Sequence, residues 1–145
     1  MTFKRGVRLA IDWGTVRIGV AACDPDGILA YPVTVLTNDE NSVNELLRLV
    51  AEYEPIEVLL GLPTDLRGED GPAAQKMREV FAKLSDELPV PIRLVDERMS
   101  SANAHRQLSE AGRSMKNRRS VIDQAAAVAI LENAIRADKL SGQAA

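Results

Sequence analysis

The hydrophobic period of the chain changes once, at Asn38, and that change sets the class of fold. Before it, apolar residues come in short runs separated by turns: Val7–Ile11, closing on Asp12; Arg17–Cys23; and Ile28–Leu36. Asp24-Pro25-Asp26-Gly27 is a turn with a mechanism, since proline presets φ and glycine accepts φ > 0. Three strands joined by short turns make an antiparallel meander. After Asn38 the spacing is helical. Val43, Leu46, Leu47, Val50 and Tyr53 share a face, and Pro55 stops the helix.

The rest of the chain alternates. Ile56–Leu60 is a short strand, apolar except for Glu57, ending at Gly61, and Pro72 suits the first turn of a helix striped with Met77, Phe81, Leu84 and Leu88. Ile92–Val95 is a fifth strand. Ser100 or Ser101 can cap a third helix carrying Ala104, Leu108 and Ala111, and Ser120 is expected to cap a last helix running to about Ala137. Strands that follow helices pair in parallel through right-handed crossovers. The expected fold is α/β: one mixed five-stranded sheet, its first three strands antiparallel, with helices on both faces.

Size and composition fit a single domain over residues 1–145, with 46% hydrophobic and 27% charged residues. The lone Cys23 excludes an internal disulfide framework and a cysteine zinc site. No apolar run reaches membrane-spanning length and no secretory h-region opens the chain, so a soluble cytoplasmic protein without a membrane partner is expected. The net charge of −3 carries no bulk nucleic-acid signal. Distribution says more: Arg113, Lys116, Arg118 and Arg119 fall within seven residues free of acids. Such a segment can hold a phosphate backbone, and it equally suits a solvated loop. Aromatics, at 3%, are too few for a ladder stacking single-stranded bases.

Three acidic positions stand at element ends: Asp12 after the first strand, Glu97 with Asp96 after the fifth, and Asp123 early in the last helix. If the first strand is central, those ends can converge. Clustered carboxylates repel unless cations neutralise them, and hard oxygen ligands suit Mg²⁺ or Mn²⁺ acting on a phosphodiester. Each acid also has a plainer use. Asp12 suits the start of a turn, Asp96 and Glu97 suit surface pairs with Arg93 or Arg98, and Asp123 suits a variant capping box with Ser120. The Gly61–Pro72 stretch leaves a strand for a helix N-terminus and can receive an anion, but lacks the Gly-Lys-Ser/Thr ending of a P-loop. His105 and Cys23 read as an exposed residue and a strand filler.

Four segments together resemble the YqgF/RuvX family of RuvC-like bacterial proteins, named as Holliday junction resolvases or pre-16S rRNA nucleases. They are Ala10-Ile11-Asp12-Trp13-Gly14 with Arg17-Ile18-Gly19-Val20-Ala21; Gly61-Leu62-Pro63 with Gly68 and Gly71; Asp96-Glu97-Arg98-Met99-Ser100-Ser101; and Ser120-Val121-Ile122-Asp123-Gln124-Ala125-Ala126. They occur in family order across nearly the whole chain. The resemblance implies an RNase H-like fold with Asp12, Glu97 and Asp123 as catalytic, metal-binding acids. Arg17, Arg67, Arg98, Arg113, Lys116, Arg118 and Arg119 would hold the nucleic-acid backbone. Where the family often carries a basic residue, this chain has Val16.

The leading expectation is a Mg²⁺- or Mn²⁺-dependent nuclease maturing the 5′ end of 16S ribosomal RNA. Its partners would be structured precursor rRNA and ribosomal particles. The alternatives are a Holliday junction resolvase on branched DNA and a non-catalytic RNA-binding or ATP-binding domain. Asp12-x-Gly14-Thr15 resembles the first phosphate loop of actin-like ATP-binding folds, but those close two domains on the nucleotide. A monomer suffices for RNA, whereas symmetric junction resolution needs a homodimer.

Overall fold

The computed structural model describes residues 3–62, 72–96 and 115–144. Its strands are β1 (Arg8–Trp13), β2 (Arg17–Cys23), β3 (Ala30–Thr37), β4 (Glu57–Leu62) and β5 (Ile92–Asp96). Its helices are α1 (Ser42–Tyr53), α2 (Pro72–Glu87) and α3 (Met115–Ala144). The expected third helix, near residues 100–111, lies outside the described residues.

One sheet holds all five strands in the order β3-β2-β1-β4-β5. β1 is central, antiparallel to β2 and parallel to β4; β2 and β3 are antiparallel, β4 and β5 parallel. Alternation along the strands builds two cores. Leu9 and Ile11 of β1, Ile18 and Val20 of β2, and Val58 and Leu60 of β4 meet Leu46, Leu49 and Val50 of α1 and Met77 and Leu84 of α2. On the other face Ala10, Ala21, Cys23 and Leu59 meet Ala127, Ile130, Leu131, Ala134 and Ile135 of α3. The alanines on both sides of that second layer let α3 lie close to the sheet.

The β2–β3 turn starts the third strand later than expected. Gly27 adopts φ 65° and donates its N–H to Asp24 O at 3.0 Å. The Asp24 carboxylate then accepts the N–H groups of Leu29 at 2.7 Å, Ile28 at 2.8 Å and Asp26 at 3.1 Å. With their amides turned to that carboxylate, Ile28 and Leu29 cannot enter the ladder and stay exposed, and β3 begins at Ala30. Those donors, Leu29 first and Ile28 next, hold the Asp24 pKa below its ordinary value.

The last helix differs more. α3 begins at Met115 and runs to Ala144, so Ser120 lies inside it and is not its cap, and Asp123 is past the first turn. Lys116, Arg118 and Arg119 accordingly stand on the opening turns of a helix and not in a loop. The reason is propensity: Met, Lys and Arg are strong helix formers, and neither Gly nor Pro interrupts Met115–Ser141. The C-terminal extension is tied down. Arg93 donates to Asp138 at 2.9 and 3.1 Å and to Glu57 at 2.7 Å, and Lys139 donates to Gly27 O at 3.0 Å. Glu57 opens β4 and Arg93 is second in β5, so the C-terminal part of α3 lies over the sheet edge where the parallel strands begin. Toward its N-terminus the helix runs to the edge where they end.

Two expected outcomes follow from this packing. Leu84 of α2 is fully buried, and Leu84→Ala should lower stability by about 2–5 kcal/mol in chemical denaturation. The Asp24 carboxylate stabilises the turn above the ordinary carboxylate range, because its folded pKa is depressed. That contribution should fade as pH falls through the depressed folded value, and Asp24→Asn should lose this acid limb in a stability-against-pH series.

Candidate active site

The C-terminal ends of β1, β4 and β5 share one edge of the sheet, the place where open α/β sheets receive ligands. Asp12 stands there, next to last in β1 and half-buried. Ile11 and Trp13 on either side face the α1/α2 core, so alternation gives Asp12 the α3 face that it shares with Ala10. Its cross-strand partner on β2 is Gly19. On β4 Gly61 follows Leu60, the partner of Ile11, and so stands beside Asp12. A carboxylate at the end of a central strand thus has a glycine on each flank, and neither neighbour crowds its face with a side chain. The hard oxygen chemistry of such a carboxylate fits Mg²⁺ or Mn²⁺.

Asp96 ends β5, two strands away, which is about 10 Å of backbone separation. Glu97 follows it and lies outside the described residues, as do Arg67, Arg98 and Arg113. Asp123, Lys116, Arg118 and Arg119 have their backbone in α3. Arg17 is half-buried at the start of β2, opposite Thr37 of β3. Among the described residues no three His, Cys, Asp or Glu side chains gather as a metal site. Cys23 is fully buried in the α3-facing core, and burial pushes its thiol pKa up, which keeps it protonated and inert. It fills a strand position as expected.

The connection after Asp12 is a two-residue hairpin. Gly14 donates its N–H to Arg17 O at 2.9 Å, leaving Thr15 and Val16 at the tip, with Val16 59% exposed. A Cβ on Gly14 would lie 2.5 Å from Arg17 O, so only glycine closes this turn. Asn38, just beyond β3, donates its side-chain amide to Gly14 O at 2.7 Å and its backbone N–H to Val16 O at 2.8 Å. The sequence marked Asn38 only as the point where the period changes and gave it no role at the site. The contact joins residues 24 apart, and no local spacing signals it.

Residues 6–137 match the family described as RuvX, Holliday junction resolvase. A Streptomyces coelicolor protein named "Putative pre-16S rRNA nuclease" is 54% identical over 143 residues, covering 97% of this chain and 86% of that protein. A Cutibacterium acnes protein of the same name is 52% identical over 136 residues, covering 93% and 85%. Thermus thermophilus RuvC, solved in complex with a Holliday junction substrate, superposes with a TM-score of 0.57 at 17% identity, covering 90% of this chain and 94% of RuvC. The fowlpox virus Holliday junction resolvase gives 0.52 at 12% identity, covering 90% and 99%. At those identities the likeness is one of fold, the RNase H-like fold expected above.

The hairpin geometry has a direct test. Gly14→Ala must push the Arg17 carbonyl away and open the turn, and should cost about 1–3 kcal/mol by thermal or denaturant unfolding.

Proposed function

This chain belongs to the RuvX family, and from that premise we propose that residues 1–145 form one nuclease domain that cuts structured precursor ribosomal RNA with the help of Mg²⁺ or Mn²⁺. The observation that carries the reading is Asp12, an acid at the open end of the central strand with Gly19 and Gly61 on its flanks. Asp12, Glu97 and Asp123 would hold the ion. The ion, when bound, would supply positive charge to the phosphoryl oxygens and the leaving oxygen.

Two arguments support Asp123 as a partner of Asp12. Position 123 is four residues before Ala127 and seven before Ile130, spacings that recur along one stripe of a helix. From Ala127 one helical turn toward the N-terminus covers about 6 Å, and from Ala10 to Asp12 two strand residues cover about 6.6 Å in the same direction. In the sequence Glu97 directly follows Asp96, the last residue of β5. In this reading Arg17, Arg67, Arg98, Arg113, Lys116, Arg118 and Arg119 hold the phosphate backbone. The basic residues at the head of α3 stand one to two turns before Asp123, so they would grip backbone beside the cut.

RNA ranks above branched DNA because the chain supplies one such edge, while symmetric junction resolution needs two. The names of the Streptomyces and Cutibacterium relatives point the same way. The RuvX description keeps junction DNA as the second reading, through a homodimer. Among the described residues no helix is long and apolar enough to cross a membrane, and a cytoplasmic site beside ribosomal particles fits this substrate.

Purified protein should cut precursor 16S RNA only with added Mg²⁺ or Mn²⁺, while Asp12→Asn should stay folded and lose cleavage. Full activity in Asp12→Asn removes this site from the chemistry. Paired symmetric nicks in a four-way junction, made by a dimer that leaves precursor RNA intact, would put the resolvase reading first. Arg118→Gln with Arg119→Gln should weaken binding to every substrate and flatten the log K against log salt slope by about 0.7–0.9 for each phosphate that the variant no longer neutralises. An unchanged slope returns these residues to a solvated helix face.

A further inference from the structure

We propose that Asn38 is a positioning residue of the active edge, an inference that rests on the nuclease reading of Asp12. The sheet order β3-β2-β1 puts β2 between the strand Asn38 extends and the strand that carries Asp12. Asn38 nonetheless reaches the far limb of the hairpin, passing the end of β2. Its side-chain amide donates to Gly14 O, two residues after Asp12, and its backbone N–H donates to Val16 O, immediately before Arg17. One residue therefore holds both limbs of the turn that joins the proposed metal-binding carboxylate to the proposed phosphate contact.

The hairpin needs such a hold. Thr15 and Val16 are exposed at its tip, so the core gives it little packing. The clamp is itself anchored. Ser42, buried at the start of α1, donates its hydroxyl toward Thr37 O at 3.1 Å and Asp39 O at 2.8 Å, and accepts the Asp39 N–H at 2.9 Å. Asp39 in turn accepts the Asn41 N–H at 2.9 Å. The loop presenting Asn38 is thus held by hydrogen bonds of its own, apart from those to the hairpin. The residue type matters as well. An aspartate of the same shape would set a carboxylate oxygen against the Gly14 carbonyl, two acceptors with no proton between them.

The test compares Asn38→Ala and Asn38→Asp with the wild type at saturating Mg²⁺ over a range of RNA concentrations. Both should lower kcat by about 10-fold or more with KM within about threefold, because a small misplacement of reacting groups acts on rate. Asn38→Asp should be the worse of the two. Leu84→Ala, destabilised on the far face, should keep its rate per folded molecule, which separates positioning from loss of fold. Amide exchange gives a readout apart from activity: the Gly14 N–H should lose protection in both Asn38 variants while β4 amides keep theirs. Wild-type kcat in either variant, or unchanged protection at Gly14, overturns the positioning role. A wild-type protein that cuts neither RNA nor junction DNA overturns the nuclease reading, and the positioning role falls with it.

Discussion

β1 is hydrogen-bonded on both sides, antiparallel to β2 and parallel to β4, and it is covered on both faces. A strand so enclosed can carry no unsatisfied polar group along its length. Its residues from Leu9 to Ile11 are accordingly apolar and buried, and the first acid comes where β1 nears its end. The same double pairing gives Asp12 its two glycine neighbours, one from each direction of pairing. The place of the proposed chemistry follows from the place of the strand.

The two edges of the sheet are built differently. Where the parallel strands begin, charges are spent on structure. Arg93 joins Glu57 to Asp138, and its pKa is raised, chiefly by the Asp138 hydrogen bonds. Arg8, 3% exposed, donates to Gly6 O and Lys4 O and lies 4.5 Å from the centre of the Phe3 ring. Removing a partner of the buried Arg8 would leave its charge under-satisfied, which is costly, whereas the Arg93 set is partly exposed and contributes less. The opposite edge carries Asp12 beside glycines and an exposed hairpin tip.

Much of this was legible in the chain itself, because strand and helix periods are local. The meander, the helix ended by Pro55 and the two parallel strands needed only spacing and turn chemistry, and β2 spans the residues read for it; of the parallel pair β4 is buried, while β5 forms the sheet edge and is half-buried. The errors fall where a side chain competes with the backbone or where propensity outruns a cap. Asp24 takes the amides that would have begun β3 two residues earlier. Ser120 has the chemistry of a cap, yet Met115-Lys116-Asn117-Arg118-Arg119 before it, four of the five strong helix formers, carries the helix five residues further back. Asp12 was readable as an acid at a strand end. Its flanking by Gly19 and Gly61, and the hold of Asn38 on the hairpin, are matters of register, which no single segment encodes.

The alanine seating of α3 has a mechanical consequence. Ala127, Ile130 and Leu131 rest on the sheet together with Ala134 and Ile135, and position 123 lies only four residues beyond Ala127, an overhang of about 6 Å. A tilt of about 5° at that seat swings position 123 by only about 0.5 Å. The angular tolerance of the proposed site is therefore set by how flat the alanines of this seat lie along several turns. Side chains that never approach a substrate would be held to methyl-group size by the helix they seat.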